Sequence, residues 1–150
     1  MRQIYGKMKS RRALSLIETI CLCCFAAAAC ALLAAGLLSY SKSLKTGNDQ
    51  LMAETARRVA NLNSIGGCIV QGCDGGSGCP HTKNSVQTGY FDHDTNTVRG
   101  ERPRGYNEYH TMEIDGRTFE GKAGTMVIQI QFDGTNYVLS WVKGGQNAGK

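Results

Sequence analysis

Nineteen residues without a charge, Ile20 to Leu38, constrain this chain more than anything else in it. Ala and Leu dominate the run, with Ile20, Phe25, four Cys and one Gly among them. Its length is that of a helix crossing a hydrocarbon core. One carboxylate, Glu18, stands just before it, within an apolar stretch that reaches back to Leu14. An ionisable group in lipid costs several kcal/mol or more unless it finds a partner. A chain that keeps one there has a use for it.

Arg2, Lys7, Lys9, Arg11 and Arg12 precede the run, with no acid among them. The positive-inside rule places such a leader in the cytoplasm and the remainder on the far side, as a single-pass membrane protein. Ser39, Tyr40, Ser41 and Lys42 close the run with an interface-like aromatic and cation. A cleaved secretory signal has a shorter apolar centre and a small-x-small site after it. A plain signal anchor accounts for all of this except Glu18 and the small Ala13.

The segment Ala13-Leu14-Ser15-Leu16-Ile17-Glu18 resembles the prepilin processing motif of type IV pilins and type II secretion pseudopilins. That family has a basic leader, a small residue before the scissile bond, a hydrophobic residue after it and a glutamate at mature position five. The resemblance covers roughly the first forty residues. It implies cleavage between Ala13 and Leu14 by a membrane-embedded prepilin peptidase, often with N-methylation of the new amine. Ala13 and Leu14 stand where the family usually has Gly and Phe, and its helix-breaking proline is absent, since the prolines here are Pro80 and Pro103. The spacing has a physical sense. Residues four apart on a helix are neighbours, and a carboxylate in the first turn suits the positive end of the helix dipole. In a filament, Glu18 would neutralise the Leu14 amine of an adjacent subunit and set the register. The partners implied are other pilin subunits, in a homo- or hetero-polymer, the peptidase and an inner-membrane assembly platform.

The charge of +5 belongs to the leader; residues 14–150 carry twelve basic and twelve acidic residues. Bulk charge therefore gives no reason to expect a polyanion partner. Four of the seven cysteines, Cys21, Cys23, Cys24 and Cys30, lie in the apolar run, where thiols behave as small apolar groups. Cys68, Cys73 and Cys79 fall beyond it, where disulfides persist.

From Ser39 to about Ile65 the pattern is amphipathic. Leu44, Leu51, Met52, Ala56, Val59, Ala60 and Leu62 recur at helical spacing, with Lys45, Asp49, Glu54, Arg57 and Arg58 mostly opposite. The expectation is one helix over residues 14–65, softened at Gly36 and Gly47 and ended by Gly66-Gly67. Residues 66–85 read as a loop rich in Gly and Cys. Asp115-Gly116 between two short strands signals a tight hairpin. Thr125–Phe132 and Asn136–Val142 alternate as strands around Asp133-Gly134-Thr135, and Val86–Phe91 can add another.

The fold class expected is α+β: a long N-terminal helix, membrane-embedded in its first half, on a small antiparallel β-meander, with the helix-on-sheet packing implied by the pilin resemblance. The divisions are a leader (1–13), a transmembrane and polymerisation helix (14–38), an amphipathic continuation (39–66), a head with loop and sheet (67–143) and a flexible tail (144–150).

Cys68, Cys73, Cys79 and His81 admit a zinc site, or one disulfide with a third thiol left over. Asp92, Asp94 and Asn96 alternate like the first ligands of a calcium loop, but Thr97 and Pro103 stand where that loop needs Gly and an acid. A polar turn with Asx caps is the other reading. Arg99, Arg102 and Arg104 with Tyr106 and Tyr109 admit a DNA-binding surface, diluted by Glu101 and Glu108. His93 and His110 lack a nucleophile partner, so no catalytic constellation is expected. Three functions stand on these residues: a structural subunit of a secretion, adhesion, motility or DNA-uptake filament; an unprocessed single-pass protein displaying a ligand- or metal-binding domain; and a DNA-binding minor pilin of a competence system.

Overall fold

A computed structural model of the chain describes residues 16–73, 80–83 and 85–145. The processing site Ala13–Leu14, the leader and Cys79 lie outside the described residues. The chain divides into two compact units, Met1–Tyr40 and Ser41–Lys150.

One helix, α1 (Leu16–Ser64, 49 residues), supplies all of the first unit that is described and opens the second. It continues through Gly36 and Gly47, where a Cβ would meet nothing within 4 Å. Neither glycine is held by a close neighbour; the cost of each to the helix is the ordinary ~1 kcal/mol relative to Ala. The helix closes as expected. Gly66 and Gly67 donate their N–H groups to the carbonyls of Asn63 and Ser64, both at 2.9 Å, and Gly67 has φ 93°. That left-handed residue is one only glycine adopts freely.

In the second unit seven strands follow among the described residues. They are β1 (Thr82–Lys83), β2 (Val86–Asp92), β3 (Thr97–Arg99), β4 (Thr111–Ile114), β5 (Arg117–Glu120), β6 (Met126–Phe132) and β7 (Tyr137–Lys143). They form two antiparallel sheets. The larger has the order β1-β2-β6-β7, with β3 also paired to β2, and the smaller is the hairpin β4-β5. A simple meander would pair β5 with β6. Instead β6 pairs with β2 from Tyr90↔Gln129 to Gln87↔Phe132, and the β4-β5 hairpin stands apart. β6 also keeps its sequential partner β7, from Met126↔Lys143 to Phe132↔Tyr137. Local alternation specifies a strand's faces, while its partner depends on which apolar faces close over one another.

The hairpin turn is of the primed kind: Asp115 and Gly116 have φ 52° and 72°, the left-handed pair that Asp-Gly tolerates. Asp133 shapes the β6-β7 turn, its Oδ1 accepting the N–H groups of Thr135 (2.8 Å) and Asn136 (2.7 Å).

The head's core lies between the second half of α1 and the large sheet. Asp49, Ala53, Ala56 and Ala60 form the buried stripe of the helix, at spacings of four, three and four. Phe91, Ile128, Ile130, Leu139 and Trp141 face them from the sheet, with Met112 and Ile114 of β4 and Ile69 and Val70 after the helix completing the cluster. Two amides tie the loop after the helix to its neighbours. Gln87 accepts the Ile69 N–H (2.9 Å) and donates to the Gly67 carbonyl (2.8 Å), while Asn63 donates to the Ile69 carbonyl at 2.9 Å.

Two corrections to the sequence reading concern this unit. Asp49, expected on the solvent side of the helix, is 2% exposed. Gly144 and Gly145, assigned to the tail, are held: they donate to the carbonyls of Thr125 (2.8 Å) and Pro103 (2.9 Å).

Candidate functional site

In the first unit, residues 16–40 are all exposed. Leu16, Ile17, Phe25, Leu32, Leu37 and Leu38 each keep roughly 70–80% of their surface open. An 18-residue window of α1 has a mean hydropathy of 2.5 and no buried residue. By length and composition this helix can cross a membrane. Glu18 lies in its first described turn and is exposed. Negative charge near a helix N-terminus interacts favourably with the helix dipole. The thiols of Cys21, Cys23, Cys24 and Cys30 are exposed on the same helix. Whether the Leu14 amine faces Glu18 lies outside the described residues.

In the second unit, the candidate metal residues separate. Asp92, Asp94 and Asn96 lie in the β2-β3 turn. Asp92 is 6% exposed. Its Oδ1 accepts the Asp94 N–H at 3.0 Å and its Oδ2 accepts Arg99 Nε at 2.9 Å. Asn96 takes φ 56° to close the turn. These are the contacts of an Asx-capped turn, and both Asp92 oxygens are engaged by donors of the protein itself. Of the Cys/His set, Cys68 is buried and Cys73 half-buried. His81 packs so closely on Gly100 that no Cβ fits between them. Among the described residues, no three His, Cys, Asp or Glu side chains gather as a metal group.

The aromatic and basic residues read as one surface are dispersed. Tyr106 is in the core rim: its hydroxyl accepts the Ile128 N–H at 3.0 Å, and its ring meets Phe91 and Trp141 edge-on at 6.3 and 5.7 Å. Burial pushes its phenol well above the usual tyrosine range. Tyr109 lies under Lys42 Nζ, 5.7 Å from the ring centre. Arg99 is neutralised by Asp92. Arg102 alone keeps an aromatic partner, its guanidinium 5.3 Å above the Tyr90 ring.

Three polar residues that organise the head escaped sequence reasoning. Asp49 accepts two backbone N–H groups, from Glu108 at 2.9 Å and Tyr109 at 3.0 Å. Burial raises its carboxyl above the ordinary range, although those two hydrogen bonds pull the other way. Asn107 is 2% exposed; it accepts from Thr125 (2.9 Å) and Met126 (2.8 Å) and donates to the Tyr109 carbonyl (2.8 Å). Gln87 is the third. A signal existed for Asp49, which shares the spacing of Ala53, Ala56 and Ala60. Nothing local marks Asn107 or Gln87.

No protein-family model, curated protein or solved structure matches this chain.

Proposed function

We propose that this chain is the structural subunit of a filament of the type IV pilin or pseudopilin kind. It is made as a membrane precursor, cut between Ala13 and Leu14, and polymerised through its apolar helix. The observation that supports this reading most is Glu18 in the first turn of a helix whose apolar window buries nothing within its own chain. Among the described residues of the helix, Asp49 is the first that is buried, and residues 16–40 are all exposed. Such a surface needs lipid before assembly and other helices after it.

Glu18 then has a defined task. Cleavage would create an ammonium on Leu14, and in a bundle of parallel helices the Glu18 carboxylate of one subunit neutralises the amine of the next. In low dielectric an unpaired member of such a pair is strongly penalised, so the pair selects register more than it adds stability. The chain is the peptidase's substrate and carries no catalytic role of its own. The head would be displayed outside the membrane.

N-terminal sequencing of the protein recovered from cells tests the reading. A mature start at Leu14, in particles that sediment as filaments, is expected. A protein that retains its basic leader and occurs only as single molecules would overturn it and leave a single-pass membrane protein.

A further inference from the structure

The large sheet has a second face. Phe91, Ile128, Ile130, Leu139 and Trp141 point to the core, so the alternating residues of β2, β6 and β7 point away from it. They form three cross-strand rows; the Val127–Val142 row is closed at Val127, which is 0% exposed, and the other two are open. One runs Tyr90–Gln129–Ser140 and continues into β3 through the Tyr90↔Arg99 pair; the other runs Thr88–Gln131–Val138. At the spacing of neighbouring strands the four-strand row is about 14 Å long, and the two rows lie about 7 Å apart. None of these six side chains in β2, β6 and β7 is buried. Among the described residues, the side-chain hydroxyls and amides of Thr88, Tyr90, Gln129, Gln131 and Ser140 take no hydrogen bond from the protein.

A solvated face accounts for polar residues, and the arrangement at the end of the row goes beyond that. Arg102 lies over the Tyr90 ring, its guanidinium carbon 5.3 Å from the ring centre, a cation–π contact that leaves the guanidinium N–H donors available. Asp92 is occupied by Arg99. Among the described residues, no carboxylate pairs with Arg102. The face thus combines a cation that has no carboxylate partner among the described residues with neutral donors and acceptors that have no internal partner there.

From this we infer that the outer face of the β2-β6-β7 sheet binds an acidic polysaccharide. Arg102 receives a carboxylate of the polymer, and Gln129, Gln131, Ser140 and Thr88 hydrogen-bond its hydroxyls. Two other occupants fit less well. A single-stranded nucleic acid needs an open aromatic face for its bases, and Arg102 covers that of Tyr90. A protein partner needs an apolar centre, and Val138, 42% exposed, is the one large exposed apolar residue in the two rows. The site does not depend on whether the chain forms filaments.

The test is calorimetric titration of the full chain in detergent micelles with polygalacturonate, with neutral dextran and with a thymidine oligonucleotide, all at physiological salt. Polygalacturonate is expected to bind at least tenfold more tightly than either alternative. Arg102→Gln, and Gln129→Ala combined with Ser140→Ala, should each weaken that binding about tenfold at an unchanged melting temperature. Absence of polygalacturonate binding, or oligonucleotide binding of equal strength, overturns the assignment on the wild-type protein alone. Wild-type affinity in both variants overturns it as well.

Discussion

The carboxylate of Asp49 accepts the backbone N–H of Tyr109 at 3.0 Å, while its other oxygen takes that of Glu108 at 2.9 Å. Two residues 60 apart in sequence are thereby locked across the head. Asn48, next on the helix, donates to both Glu108 oxygens at 3.1 Å. The helix thus fixes the backbone of a segment that has no regular secondary structure of its own. Asp49→Ala would strand two buried N–H groups, each worth about 1–3 kcal/mol when unsatisfied. A loss of about 2–4 kcal/mol is expected, read by chemical denaturation of the full chain in detergent.

Asp49 also makes a pH prediction. Its folded carboxyl is raised, first by burial. A raised folded value means that the group's contribution is complete below the unfolded value of 3.8 and is lost as pH rises through the folded one. The melting-temperature difference between wild type and Asp49→Asn should therefore shrink as pH climbs from about 4 toward neutrality. Asp133 behaves oppositely. The N–H groups of Asn136 and Thr135 lower its carboxyl, so its contribution is lost as pH falls through its folded value. Carboxyl titration by NMR should put Asp49 above 3.8 and Asp133 below it.

Asn107 serves three backbone groups at once. Asn107→Ala leaves the N–H groups of Thr125 and Met126 and the carbonyl of Tyr109 without their buried partner. We expect a destabilisation of about 2–4 kcal/mol. Asn107→Asp keeps the acceptor but sets a carboxylate against the Tyr109 carbonyl, and should recover only part of the loss. Denaturant midpoints of the two variants check the order.

Two glycines separate packing from propensity. A Cβ at Gly89 would stand 2.5 Å from Val98 Cγ1 and 3.3 Å from Val70 Cγ2, so Gly89→Ala should cost about 1–3 kcal/mol by overpacking. At Gly36 a Cβ meets nothing within 4 Å, and Gly36→Ala should favour the helix by up to ~1 kcal/mol. Melting of the head should report the first change and leave the second silent.

Glu18→Ala tests assembly apart from folding. Among the described residues, the buried cluster is made of residues of the second unit, so the head's melting temperature should not change. Filament yield, measured by sedimentation and electron microscopy, should fall at least tenfold. Wild-type yield would remove Glu18 from the assembly step.

Much of the fold was legible because its causes are local. The apolar run, the amphipathic continuation and Gly66-Gly67 specify one helix and its end. Asp115-Gly116 specifies its turn, since few residue pairs accept two positive φ values. Strands β2, β6 and β7 follow from alternation. The short strands β1 and β3 went unread, because two or three residues carry too little periodicity and owe their pairing to β2. Tyr106 was misplaced because a tyrosine among arginines looks like a surface in sequence; its burial depends on Phe91 and Trp141, which are distant in the chain.

By itself the sequence determined an exposed apolar helix headed by a carboxylate, because length, hydropathy and charge are additive along a chain. Only the tertiary structure decided that β6 lies beside β2, that Asp49 is inside and that Asn107 joins its own segment to the start of β6. Those outcomes depend on which buried backbone groups still need partners after the apolar faces have closed, and that is known only once distant segments meet.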